Sequence, residues 1–460
     1  MSRTAILAIV SMLTPAALAA QQPTTPGAPA PLIPLSARTT ALDSGTHPIR
    51  LDEAIRLAQR NAPLAVQARG QERTTRAQVR AAYASFLPAV SVGMAQTENV
   101  GSRFDPVRDQ FVPSSSTNYS SNLFAQVELF DGGRRFFEAR QARANVHAAD
   151  ANTTLQEYNI ALDVKQQYYA VLAAREADAA ARTQLQQARQ QLRAAAARVA
   201  AGAATKSDSL RSVIQVGNAR LALATAENQL RVANATLTRL VATPFTVTAD
   251  PGDTVDIAEP VLDSAVVAGL AAQGPQVQQA EAQLTAARAG VRAARTPYLP
   301  TVSASFSRGG NGSDPRYGFG DREFLYANQT RFSLNFPLFD QWAREARVSQ
   351  AAAAEDNAEA QLRDARLLAE QNLIQYIGAM RTAQERVDIQ RASVAAAEED
   401  LRVQQQRYAL GASTLLDLLT SQTQLSQAQA ALIQARYDYR VARAQLEALI
   451  GRDLTTGTTR

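Results

Sequence analysis

Two hydrophobic periods recur along this chain. Period two marks four short stretches. Val90, Val92 and Met94 alternate with Ser91, Gly93 and Ala95, and Leu123, Ala125, Val127 and Leu129 alternate with Phe124, Gln126 and Glu128. Val302, Ala304 and Phe306 alternate with Ser303, Ser305 and Ser307, and Phe332, Leu334 and Phe336 alternate with Arg331, Ser333 and Asn335. One apolar and one polar face per stretch is the pattern of a half-buried strand. A helical period fills the rest. Asp131 to Ala201 runs without a clear break, roughly 105 Å at 1.5 Å per residue. The helix after it carries a 3,4 seam of Val216, Ala219, Leu223, Ala226, Leu230, Ala233, Leu237 and Leu240. Alternating large residues with Ala lets neighbouring helices approach closely.

The chain repeats itself once. LDEAIRLAQRNAPL at Leu51 answers to LDSAVVAGLAAQGPQ at Leu262, and SFLPAVSV at Ser85 to PYLPTVSA at Pro297. VELFDGGRR at Val127 answers to FPLFDQWAR at Phe336, and RVAAGAATKSDSL at Arg198 to RYALGASTLLDLL at Arg407. A second seam runs through Leu425, Ala428, Leu432, Ala435, Tyr439, Ala442, Leu446 and Leu449. One unit placed twice therefore explains the fold.

The unit opens with a short amphipathic helix, Leu51 to Arg60. Pro63 suits the first turn of a second helix, and Pro88 opens the first strand. Asp131 can cap the long helix, and Gly202 supplies its left-handed stop. The expected first repeat covers 49–245, with strands near 88–100 and 117–130, a long helix over 131–201 and another over 205–242. A connecting segment follows at 246–261. The second repeat covers 262–452, with strands near 300–309 and 325–339 and helices over 340–410 and 413–451, before a tail at 453–460. In each repeat the second and fourth helices together nearly match the long one, so they can stack end to end beside it as a wall of uniform height. The segments from Gly101 to Ser116 and from Gly309 to Phe324 read as outward-facing loops.

The N-terminus changes the setting. Arg3, the apolar run Ala5 to Leu13 and the small residues Ala17-Leu18-Ala19 read as a secretory signal over residues 1–20. Residues 21–48 read as a Pro-rich linker. The apolar run is far shorter than the roughly 20 residues a spanning helix needs, so any membrane crossing must be a barrel. The chain has 460 residues, no Cys and two His, His47 and His147. Disulfides, thiolate metal sites and an acylated N-terminal Cys are excluded. Zinc or triad chemistry is poorly supplied. The net charge of +5 comes almost wholly from Arg dispersed among acids, without the patch that nucleic-acid binding wants. No cluster of convergent polar residues suggests an enzyme, and no cofactor or metal is expected.

Two strands per repeat make four per chain. Four strands in lipid leave open edges with unsatisfied backbone groups, so closure needs further copies. Eight strands from two chains or twelve from three would both close, with the polar face lining water. An exported periplasmic coiled-coil scaffold or adaptor without a pore is the alternative. It shares the signal and the long helices but has no need of two homologous strand pairs.

The twofold unit, the paired LP strand openings, the LFDGG junction and the glycine-centred helical tips resemble the TolC family of outer-membrane efflux channels, from Leu51 to about Ile450. The resemblance implies an α+β fold in which a trimer builds a twelve-stranded outer-membrane β-barrel, four strands per chain. A long α-helical coiled-coil barrel continues it through the periplasm of a Gram-negative-type bacterium. It implies a passive exit duct for efflux or type I secretion. The partners implied are outer-membrane lipid, a periplasmic adaptor and an inner-membrane pump. At the helical tips, Tyr408, Asp417 and Asp208 match the positions that close the periplasmic aperture. Ala201, Gly202 and Ala203, with Leu410, Gly411 and Ala412, match the adaptor-docking tips. Ser413 and Thr420 stand where a salt-bridged latch would need an Arg and an acid. Thr205 and Thr414 each precede their Asp by three, which is also capping-box spacing.

Overall fold

The computed structural model describes residues 46–202, 205–253, 264–312 and 325–454. The expected signal, most of the linker, the acidic loop residues Asp314, Asp321 and Glu323, and most of the C-terminal tail lie outside the described residues.

The described chain runs through β1 (His47–Ile49), α1 (Leu51–Asn61), α2 (Pro63–Ala84), β2 (Ala89–Asp105), β3 (Gln110–Phe130), α3 (Arg134–Ala200) and α4 (Lys206–Val241). After β4 (Val247–Ala249), the order resumes with α5 (Ser264–Ala271), α6 (Pro275–Ala294), β5 (Thr301–Gly312), β6 (Leu325–Asn335), α7 (Ala343–Ala409) and α8 (Leu415–Ile450). The helix, helix, hairpin, long helix, helix order thus occurs twice. Pro63 and Pro275 each occupy the first turn of their helix, where the missing N–H costs nothing. α3 and α7 each hold 67 residues, close to 100 Å at 1.5 Å per residue.

α3 packs on α2 and α4 along one side and on α6 and α8 along the other, and α7 packs on α6 and α8. The wall order is therefore α2 with α4, then α3, then α6 with α8, then α7. The predicted seams face these contacts. Val216 and Ala219 of α4 bury against Leu185 and Ala188 of α3. Ala435, Tyr439, Ala442 and Leu446 of α8 bury with Leu373, Met380 and Val387 of α7.

The largest core gathers α1, α3, α4 and the parallel pair β1–β4 around Val164, Tyr168, Val171, Leu237 and Val247. The Tyr168 hydroxyl donates to Asp253 Oδ2 at 2.6 Å and accepts from the Asp250 backbone N–H at 3.1 Å. Part of the segment expected to be a plain connector is thus a strand docked on α3. Three-residue strands are too short to show a period, which is why the pattern missed them.

The four long strands form one antiparallel sheet in the order β2-β3-β5-β6. Three expectations need correcting. The loop expected from Gly309 cannot begin before Gly312, because β5 continues to that residue and pairs Gly309 with Ala327 and Asn311 with Leu325. The Gly101–Ser116 stretch is not a loop: β2 and β3 pair continuously out to Asp105 opposite Gln110. Its polar, glycine-containing sequence shows no alternation, so the strand leaves no period-two mark. The last strand ends at Asn335 rather than near 339, since Pro337 cannot donate to a ladder.

Candidate functional site

The sheet has two distinct faces. Side chains directly opposite in an antiparallel ladder share a face. Val90, Ala125, Phe306 and Thr330 form one such row, and Val127, Ala304 and Phe332 another. Val302 and Leu334 continue the apolar face toward the helices. The alternation put Leu129 on this face, but the register shifts between Glu128 and Phe130, so Phe130 stands opposite Val302. A bulge at the foot of a strand bends it. Val90, Val92, Phe332 and Leu334 are each at least 63% exposed in the chain, so a four-strand apolar face lacks a covering layer. The opposite face carries Ser91, Gln126, Ser303, Ser305, Ser307, Arg331 and Ser333.

A charged clasp joins sheet to helix in both repeats. The Asp131 carboxylate accepts from the Gly133 N–H at 3.1 Å, the Arg135 N–H at 3.0 Å and Arg135 Nε at 2.8 Å. It therefore caps α3 from two residues before the glycine N-cap. The Arg135 guanidinium lies 4.9 Å from the Phe86 ring centroid. In the second copy, Asp340 holds the Arg344 N–H at 3.1 Å, and the Arg344 guanidinium stacks 5.0 Å from Tyr298.

At the far ends of the long helices, Gly202 and Gly411 adopt φ of +69° and +74°. Leu410 is 84% exposed, and Ala201, Gly202, Gly411 and Ala412 are exposed with it. Ala203 lies outside the described residues. Both capping boxes form. Asp208 Oδ2 accepts from the Thr205 N–H at 3.1 Å and hydroxyl at 2.8 Å. Asp417 Oδ2 accepts from the Thr414 N–H at 2.9 Å and hydroxyl at 2.8 Å. The hydrogen bonds from the Thr414 backbone and side chain hold the Asp417 carboxyl below its ordinary value. Tyr408 is half-buried against Leu401, Leu415 and Leu418. Its ring receives Arg198 from the end of α3, a partner that the sequence reading did not pick out. The signal was present, because Arg198 and Arg407 each stand four residues before a tip glycine. Nearer the core, a cavity of about 890 Å³ lies among α3, α4, α7 and α8, lined by Ala173, Ala226, Leu401, Leu425 and Ile433 among others.

No helix among the described residues is long and apolar enough to cross a membrane. A family model described as "Outer membrane efflux protein" matches residues 54–243 and 267–452. The chain is 28% identical over 344 residues to the pyoverdine export outer membrane protein OpmQ of Pseudomonas aeruginosa, covering 73% of this chain and 69% of the relative. Its fold is similar to the open-state MtrE outer membrane channel of Neisseria gonorrhoeae, with TM-score 0.72, 21% identity, and 89% and 91% of the two chains covered. It is also similar to the outer membrane protein VceC of Vibrio cholerae, with TM-score 0.69, 18% identity, and 88% and 96% covered. The chain belongs to the outer membrane efflux protein family, and it is an outer-membrane channel, the exit duct of an efflux or secretion system.

Proposed function

We propose that three copies of the chain close into a passive conduit, with a twelve-stranded barrel in the outer membrane and a helical tube in the periplasm. The carrying observation is the sheet itself: four paired strands, one mainly apolar face, and edges at β2 and β6 unpaired within the chain. In hydrocarbon each unsatisfied backbone group costs several kcal/mol, so β6 of one copy pairing with β2 of the next satisfies both edges. The resemblance to TolC-type channels favours three copies over two. Against a pore-free scaffold stands the apolar face, which would be left in water.

The tips face a periplasmic adaptor and, through it, an inner-membrane pump. Ala201, Gly202 and Ala203 with Leu410, Gly411 and Ala412 form the docking knobs, small enough for another helical hairpin to approach closely. Tyr408, Asp417 and Asp208 line the aperture. Capping and lining are compatible, because the capping hydrogen bonds engage Oδ2 of each Asp and leave the carboxylate charge in place.

Purification from outer membranes tests the assembly. A heat-modifiable, detergent-resistant species with three chains by cross-linking, conducting in planar bilayers, is the expected result. A native protein that stays monomeric and soluble without detergent overturns it.

A further inference from the structure

The four-stranded part of the polar face carries one positive position, Arg331, that the exit-duct reading leaves without a role, and its meaning rests on that face lining the lumen; Arg103 and Asp105 share the face farther out, where β2 and β3 pair alone. The register aligns this face in rows. Glu128, Ser303 and Ser333 share one row, Gln126, Ser305 and Arg331 the next, and Phe124, Ser307 and Gln329 the one beyond. Where all four strands pair, the one charged residue on this face is Arg331, and Glu128 stands one row nearer the helices, where β2 no longer pairs. The Glu128 carboxylate is taken up by the Arg134 guanidinium at 2.7 Å. Arg331 is exposed, and neither β5 nor β6 contains an acid. Its neighbours on the face are Ser303, Ser305, Ser307, Ser333 and Gln329, short or neutral groups that leave its side chain room to reach into water.

We infer that Arg331 is a selectivity-determining residue that gives the barrel end of the duct a preference for anionic solutes. Three copies place three guanidiniums at one height. Like charges in a cleft with low-dielectric walls raise the local concentration of counter-ions. At 0.1 M salt the screening length is about 10 Å, so the field of each guanidinium covers much of the space beside the wall. The duct is thereby charged oppositely at its two ends, positive in the barrel and acidic at the tips through Asp208 and Asp417.

The native chain has no Cys, so a single introduced thiol is addressable without background. The purified channel is studied in planar bilayers under a KCl gradient, comparing wild type with Arg331→Gln and Arg331→Cys. Both substitutions are expected to shift the chloride-to-potassium permeability ratio toward potassium. A cationic methanethiosulfonate on Arg331→Cys should return the ratio toward wild type, and an anionic one should push it further away. Arg308→Cys is the control. Arg308 sits opposite Leu123 on the apolar face, over the Tyr326 ring at 4.8 Å, and its modification should leave the ratio unchanged. If the channel conducts but both Arg331 variants, with and without reagent, keep the wild-type ratio, the inference is wrong and the duct reading stands. A correctly assembled wild-type protein that does not conduct would remove the duct reading and this inference together.

Discussion

Arg198, near the end of α3, holds its guanidinium 4.6 Å from the ring centroid of Tyr408, near the end of α7. The two residues belong to different repeats, so this contact ties one helical tip to the other within a single chain. A cation–π contact at an exposed site is worth about 0.5–1 kcal/mol. Arg198→Ala or Tyr408→Ala should therefore shift the balance between close and splayed tips by roughly two- to five-fold per chain. Single-channel recording should show larger or longer openings in both variants. The double variant should add little to either single one, because the two residues share one contact.

Asp417 combines a hydrogen-bonding role with a charge, and two substitutions separate them. Asp417→Asn removes the charge. Thr414→Ala removes the hydroxyl partner and leaves the charge. If Asp417 lines the aperture, cation preference and block by multivalent cations should weaken in Asp417→Asn and persist in Thr414→Ala. Thr414→Ala should instead lower thermal stability, by about 1 kcal/mol for a lost N-cap. The sign of the pH effect follows from the lowered carboxyl value. The folded-state value lies below the ordinary 3.8, so the cap's ionic contribution is complete above 3.8 and disappears as pH falls through the lower folded value. Cation selectivity measured at pH 5 and pH 7 should agree.

Periodicity made the helices and the paired part of the sheet legible, because burial on one side writes a period into the residues. Leu237 and Leu446 are seam positions, and both are fully buried. The capping boxes were legible as Thr205-to-Asp208 and Thr414-to-Asp417 spacing. Three features left no such trace. The outer part of the β2–β3 hairpin is polar and glycine-containing, and Gly101–Ser116 carries no period-two alternation. The β1–β4 pair sets His47–Ile49 beside Val247–Ala249, segments 200 residues apart in sequence. The Arg198–Tyr408 contact joins elements of opposite repeats, and repeat matching aligns Arg198 with Arg407 rather than with its actual neighbour.

Gly132 and Gln341 occupy the same turn in the two repeats, and they predict opposite outcomes. Gly132 has φ of +66°, and a Cβ there would meet Leu299 Cβ at 2.6 Å and the Thr296 carbonyl at 3.0 Å. Gly132→Ala must distort the contact between the first junction and the segment entering β5. The left-handed backbone costs about 1–2 kcal/mol, and overpacking adds about 1–3 kcal/mol. Reduced yield of the assembled, heat-modifiable form is expected. Gln341 already adopts φ of +59°, so Gln341→Gly relieves strain and should raise thermal stability slightly. Melting curves of both variants in detergent provide the check.

Lys165 of α3 and Glu447 of α8 carry a buried ionic link between the two repeats. Lys165 Nζ lies 2.6 Å from Glu447 Oε2 and 2.9 Å from Asp453 Oδ1, with the Lys165 and Glu447 side chains only 13% and 9% exposed. Arg443 Nε binds the second Glu447 oxygen at 3.1 Å. Burial pushes the Lys165 ammonium down, but the Glu447 charge and the hydrogen bonds to Glu447 and Asp453 outweigh it and hold the ammonium above its ordinary value of 10.5. Removing one member of a buried pair costs about 3–5 kcal/mol, and Arg443 places Lys165→Met near the lower end. Lys165→Met paired with Glu447→Gln should cost less than the sum of the single changes, since each alone strands a charge or a donor. A raised folded-state value means the Lys165 contribution is complete below 10.5 and is lost as pH climbs through the higher value. Wild type should therefore lose thermal stability across that alkaline window more steeply than Lys165→Met. Parallel alkaline melting profiles for the two proteins would show that the link contributes no ionic stabilisation.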